Sequence, residues 1–137
     1  MIDCIKHPKK KMKNKLNILK NNLKKEIWYE KKYQIAPYLS EERGKYIGVS
    51  KLLLKPRTTK EVSKILDICN KNKISVVPQG GRTGLSGGTI PNPKKNEIII
   101  SMEKMDKILS FDKNNFSITT QSGCTLLNIK KHSKINN

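Results

Sequence analysis

Five of the nine residues from Gly80 to Gly88 are glycine, in a chain whose commonest residue is lysine. Glycine serves where the backbone takes a positive φ or must meet a ligand with no Cβ in the way. A run of such residues can turn successive N–H groups inward as a nest for an anion, phosphate above all. A plain low-complexity surface loop is the competing reading. Position separates the two, because the run closely follows the short apolar stretch ending at Val77, as phosphate loops do.

The loop fits neither common nucleotide template. Gly-x-Gly-x-x-Gly spacing is missing, and Gly87-Gly88-Thr89 lacks the lysine that closes a P-loop. Thr89-Ile90-Pro91-Asn92-Pro93 then puts two prolines where a helix would have to run. A helix N-terminus therefore does not hold the anion. The loop's own amides must.

Around the loop the pattern reads as mixed α and β. Residues 1–11 form a basic lead expected to be disordered, and Leu16, Leu19, Leu23 and Ile27 predict an amphipathic helix from Met12 to about Glu30. Trp28 and Tyr29 close that region as apolar anchors, and Pro37 ends it. Leu52-Leu53-Leu54 predicts a short buried strand. Thr58 or Thr59 caps the next helix, strengthened by Glu61 and burying Val62, Ile65, Leu66 and Cys69 until about Asn72. Ile74 to Val77 is a second strand, which completes a βαβ unit and leaves the glycine loop at its carboxyl end, where α/β folds bind ligands. Glu97 to Ser101 predicts a third strand, Met102 to Ile108 a helical turn, and Leu109–Phe111 with Phe116–Gln121 a hairpin around Asp112-Lys113-Asn114-Asn115. Thr125 caps a last helix, Leu126 to about Ser133.

The residues also carry a family likeness. Tyr38-Leu39-Ser40-Glu41-Glu42-Arg43-Gly44-Lys45-Tyr46, Lys55-Pro56-Arg57-Thr58-Thr59-Lys60-Glu61-Val62, Val76 to Gly88, and Met105-Asp106-Lys107-Ile108 followed by Gln121-Ser122-Gly123-Cys124 occur in this order. Together they resemble the flavin-binding domain of the vanillyl-alcohol oxidase and p-cresol methylhydroxylase superfamily. The branch they most resemble is that of the D-lactate, glycolate and D-2-hydroxyglutarate dehydrogenases.

The resemblance implies an α+β fold: the first, βαβ-containing subdomain of a PCMH-type FAD-binding domain plus the start of the second. Residues 37–137 are expected to form this partial domain, without a substrate cap, and residues 1–36 the basic lead and helix. It implies FAD as cofactor, with Gly80, Gly81, Arg82, Thr83, Gly84, Leu85 and Ser86 around the pyrophosphate, chiefly through backbone N–H. Pro78, Gly87, Gly88 and Gly123 complete the expected cofactor-binding set. For Arg82 two readings stay open, a pyrophosphate partner or a solvated loop residue. Some members of the superfamily tether flavin through a histidine in this loop. This loop has none, so the flavin is expected to be non-covalent.

Composition mainly excludes. The net charge of +18 invites a nucleic-acid partner, yet only Arg43, Arg57 and Arg82 are arginine, and interleaved aromatics are lacking. Lysine, asparagine and isoleucine all use A/T-rich codons, which accounts for the charge without a ligand. Cys4, Cys69 and Cys124 form neither a disulfide framework nor a zinc site. No run approaches the ~20 apolar residues of a membrane span. The N-terminus lacks a secretory apolar stretch and the arginine and serine of a transit peptide, so the expected location is cytoplasmic.

No catalytic constellation appears. Glu41, Glu42, Glu103 and Asp106 are the candidate carboxylates, each expected on solvated surface, and neither His7 nor His132 is placed as a base. Flavin would carry the hydride chemistry of a D-2-hydroxyacid dehydrogenase, and the chain alone is expected to be inactive. A non-catalytic nucleotide-binding half-domain, or one subunit of a split enzyme with a complementary chain, is the alternative; a basic nucleic-acid binder ranks below it.

Overall fold

The computed structural model describes residues 8–136. Cys4, His7 and the first seven residues of the basic lead lie outside the described residues. Helix α1 (Pro8–Asn22) begins four residues earlier and ends eight earlier than the apolar period suggested. Pro8 opens it because a proline's missing N–H costs nothing at the first helical position. After Asn22 the chain narrows to a 3-10 turn at Lys25–Ile27 and then extends as strand β1 (Trp28–Tyr29). The predicted last turns fail because Trp28 and Tyr29 pair with a strand: Trp28 faces Leu54 and Tyr29 faces Leu53. Helix α2 (Lys32–Ile35) and a second 3-10 turn, Ala36–Tyr38, follow.

Strand β2 (Leu53–Leu54), helix α3 (Thr59–Lys71) and strand β3 (Val76–Gln79) realise the βαβ unit. Thr58 caps α3 by accepting the Glu61 N–H at 3.2 Å, while the Glu61 carboxylate accepts the Arg57 N–H at 2.7 Å. Strand β4 (Ile98–Ser101) inserts between the two, so the sheet order is β1-β2-β4-β3, parallel except for β1.

That insertion explains the Ile98-Ile99-Ile100 run. Side chains alternate along a strand, and a central parallel strand is covered on both faces. Ile98 and Ile100 join Leu19, Leu52, Leu54, Ile65, Ile68 and Cys69 on one side; Ile99 joins Leu53, Ile35 and Tyr38 on the other. Ile68 takes the buried place expected of Leu66, which is 46% exposed. The apolar face of α1, at Met12, Leu16, Leu19 and Leu23, closes the first layer. Full burial of Leu19 contributes about 2 kcal/mol.

Beyond β4 the expected helical turn is a tight turn, with the Met105 N–H donating to the Met102 carbonyl at 2.8 Å. Its floor is Gly123, where any Cβ would overlap the Met102 carbonyl. Strands β5 (Ile108–Asp112) and β6 (Ser117–Thr120) form the hairpin, turned by an Asp112 carboxylate that accepts the Asn114 and Asn115 N–H groups at 3.0 and 3.1 Å. Helix α4 (Leu126–Asn136) ends the described chain, and the Thr125 hydroxyl accepts the Asn128 N–H at 3.3 Å.

Candidate functional site

The glycine run leaves the carboxyl end of β3 at Gln79 and lies against the opening segment 37–46. None of the backbone N–H groups from Gly80 through Thr89 donates to an acceptor among the described residues. In a chain whose turns are otherwise stitched by backbone bonds, this is the stretch with spare donors. Its carbonyls are partly engaged: Leu85 accepts from the Arg43 guanidinium at 2.6 Å, and Gly87 accepts the Ile90 N–H at 3.0 Å. An anion over the loop would therefore meet N–H groups more readily than those two oxygens.

Room exists for it. A Cβ built on Gly80, Gly81, Gly84 or Gly88 would meet nothing within 4 Å. These glycines keep a surface open; they do not relieve crowding inside the protein. Gly87 differs, with φ at +75° and the Tyr46 ring 2.9 Å from any added Cβ. Arg82 also takes a left-handed φ, +58°, which turns the chain between Gly81 and Thr83. These features fit a diphosphate held by backbone amides.

Three side chains fix the loop to the opening segment 37–46. Gln79 is 1% exposed, and its Nε2 donates to the Tyr38 carbonyl at 2.9 Å and the Thr89 carbonyl at 2.7 Å. One amide thus joins the two ends of the loop to the segment beneath it. With its NH2 fixed by two carbonyls, Gln79 Oε1 has no hydrogen-bond partner, nor has the buried Thr89 Oγ1. Arg82 donates to the Pro37 carbonyl and lies 4.6 Å from the centre of the Tyr38 ring. These contacts clamp the loop to the opening segment. Arg43 reaches Leu85 from the other side.

Glu41 organises that segment. It was expected on solvated surface but is 4% exposed, because its carboxylate accepts the Arg43 and Lys45 N–H groups at 2.8 and 2.7 Å. Those bonds, the Arg43 amide foremost, hold its pKa below the usual carboxylate range. Glu42 and Asp106 are exposed as expected. Glu103 is partly exposed yet bonded, at 2.7 Å to the Lys55 ammonium and 2.6 Å to the Tyr38 hydroxyl. Burial works to raise the Glu103 pKa, but Lys55 and Tyr38 outweigh it and leave the carboxyl lowered. Burial, joined by Glu103, raises the Tyr38 phenol.

Pro78 lies in β3 opposite Ile100, and Gly123 underlies the Met102–Met105 turn. The other predicted residues, Gly80 to Gly88, stand together on the loop. Cys69 is buried, and desolvation pushes its thiol up to about 11. His132 packs edge-on against Phe111, with ring centres 5.8 Å apart. Sequence reasoning missed Gln79 as the residue that closes the loop, although a glutamine between an apolar strand and a glycine pair is its trace.

The model of a family described as an FAD binding domain matches residues 50–137. A rice protein of the mitochondrial D-2-hydroxyglutarate dehydrogenase type is 52% identical over 89 residues, 65% of this chain and 16% of its own length. The Arabidopsis thaliana mitochondrial D-2-hydroxyglutarate dehydrogenase is 47% identical over 85 residues, 62% of this chain and 15% of its own. The chain thus spans about a sixth of the length of these relatives. The structure of p-cresol methylhydroxylase superposes with a TM-score of 0.78 at 19% identity, over 93% of this chain and 25% of that one; it shows the fold.

The mitochondrial names of these relatives overturn the cytoplasmic expectation. That expectation weighed the scarcity of arginine and serine. Composition is a weak guide here, because lysine supplies the positive charge that arginine carries in most targeting segments. With its glycine loop, βαβ unit and matching family model, the chain belongs to the FAD binding domain family, and its cofactor is FAD.

Proposed function

We propose that this chain forms the pyrophosphate-binding part of a mitochondrial, flavin-linked dehydrogenase acting on a D-2-hydroxyacid of the 2-hydroxyglutarate type. The observation that carries the reading is the row of unpaired N–H groups from Gly80 to Thr89, open on the side where glycine side chains are missing. Gly80, Gly81, Gly84 and Gly88 admit the diphosphate, and the amides between them bind it. Thr83 and Ser86 add hydroxyl donors. Gln79 and Arg43 hold the loop's shape before ligand arrives, which lowers the ordering cost of binding.

FAD, when bound, supplies the hydride-accepting ring. The loop has no histidine to attach it, so the flavin is held without a covalent bond. No cluster of titratable groups in the described residues is arranged as a base for substrate oxidation. The chain's share of the work is therefore cofactor binding, and substrate is positioned by groups outside it.

Equilibrium dialysis of the purified chain against FAD, followed by acid precipitation, tests this directly. The expected result is bound flavin that stays wholly in the supernatant, with no dye reduction on adding D-2-hydroxyglutarate. Dye reduction by the chain alone would refute the division of labour. Failure of a folded chain to bind FAD would remove the reading altogether.

A further inference from the structure

We propose a second anion site at the amino-terminal end of the sheet, shaped for a small polyanion of the polyphosphate class. A cavity of about 390 Å³ lies there, lined by Met12, Lys15, Lys73, Ser75, Lys94, Lys95 and Asn96. Four of these seven residues are lysine, against 26 of 137 in the whole chain, so the concentration is local and exceeds what composition alone gives. Ser75 immediately precedes β3 and Asn96 lies just before β4. The glycine loop leaves the other end of β3, about 13 Å away for a four-residue strand. The two sites are therefore separate.

Each lysine is set in place by local structure. Lys15 projects from α1 and donates through Nζ to the Lys73 carbonyl at 3.0 Å. Lys73 follows the α3 C-cap with φ at +51°, its N–H donated to the Asn70 carbonyl at 3.2 Å. Lys94 and Lys95 sit on a turn made by Asn92, whose Oδ1 accepts the Lys94 N–H at 2.9 Å and whose carbonyl accepts the Lys95 N–H at 3.0 Å.

No carboxylate among the described residues lines the cavity. Glu97 borders the adjoining hollow, with one oxygen accepting the Asn92 N–H at 2.7 Å. Lys73, Lys94 and Lys95 make no ion pair among the described residues. A concave surface lined by one sign of charge focuses its field and concentrates counter-ions. Several ammonium groups around one hollow favour a ligand with several negative charges over a monoanion. Ser75 and Asn96 add neutral hydrogen-bonding groups to the lining.

The test is calorimetric titration of the full chain, kept saturated with FAD so that the glycine loop is filled, with inorganic tripolyphosphate at two salt concentrations. The wild-type chain should bind one equivalent in the cavity, and the Lys94→Gln/Lys95→Gln variant should bind about tenfold more weakly, with FAD affinity unchanged. A charge-matched control, Lys130→Gln/Lys131→Gln on α4, should leave tripolyphosphate affinity as in the wild type. Equal weakening by both pairs would show a response to net charge and overturn the proposal. So would phosphatidic acid vesicles sedimenting the chain when tripolyphosphate does not bind.

Discussion

On the proposed reading, the two ends of the parallel strands attract anions by opposite means. At the carboxyl end the donors are backbone amides of the Gly80–Thr89 run, and the nearby cations Arg43 and Arg82 are turned to carbonyls. At the amino end the attraction comes from the ammonium groups of Lys15, Lys73, Lys94 and Lys95. Amides at fixed positions select a ligand by shape and carry little net charge. Lysines on flexible stems select by charge, and salt screens them. The carboxyl end is therefore expected to be specific and weakly salt-dependent, the amino end less selective and strongly so.

The largest expected effect tests whether the carboxyl end is pre-shaped. Gln79→Leu strands the Tyr38 and Thr89 carbonyls that its amide now pairs, at a cost of about 2 kcal/mol or more. Chemical denaturation should show that loss, and FAD binding should fall with it. Next comes a substitution that separates ligand room from folding. Because a Cβ on Gly81 meets nothing within 4 Å, Gly81→Val should leave the melting temperature nearly unchanged yet weaken FAD binding by tenfold or more, about 1.4 kcal/mol. A matched loss of stability would mean that the glycine serves the fold. Arg43→Gln, which removes the contact to Leu85, should weaken FAD binding only a few-fold. Ionic strength should leave that ratio as it is if Arg43 acts through the loop.

Smaller still is a pH effect at the carboxyl end, part of a wider one to which Glu30 and Asp112, also lowered, contribute. Glu41 and Glu103 both have pKa values lowered from the ordinary 4.5. A carboxyl depressed in the fold binds its proton more readily when unfolded. Its contribution is thus complete above about pH 4.5 and is lost as pH falls through the folded value. Thermal unfolding followed from neutral to acid pH should drop over that window, and Glu41→Gln should flatten part of the drop.

Much of this was legible in the sequence because the signals are local. Thr58 and Glu61 announce a helix start through their own side-chain bonds, and Asp112 to Asn115 announce a turn. The glycine loop is legible for the same reason: an absent Cβ is written in the sequence. What required the structure was pairing at a distance. Nothing local tells Trp28 and Tyr29 to leave a helix, since their partners are Leu54 and Leu53. Nothing local places β4 between β2 and β3. Glu41 looks like any surface carboxylate until the Arg43 and Lys45 amides close on it. The lysine cavity gathers α1, the end of α3 and the turn before β4, and in a lysine-rich chain its members carry no mark of their own.

The central claim is that backbone amides of the glycine loop hold the diphosphate. An amide-resolved NMR titration of the labelled chain with FAD, whose diphosphate is esterified at both ends and carries only two charges, tests it most directly. The account predicts large, saturable shifts at the amides of Gly80 to Thr89 and small ones at Lys73, Lys94 and Asn96. Shifts concentrated at the lysine end, with the glycine amides unmoved, would contradict it.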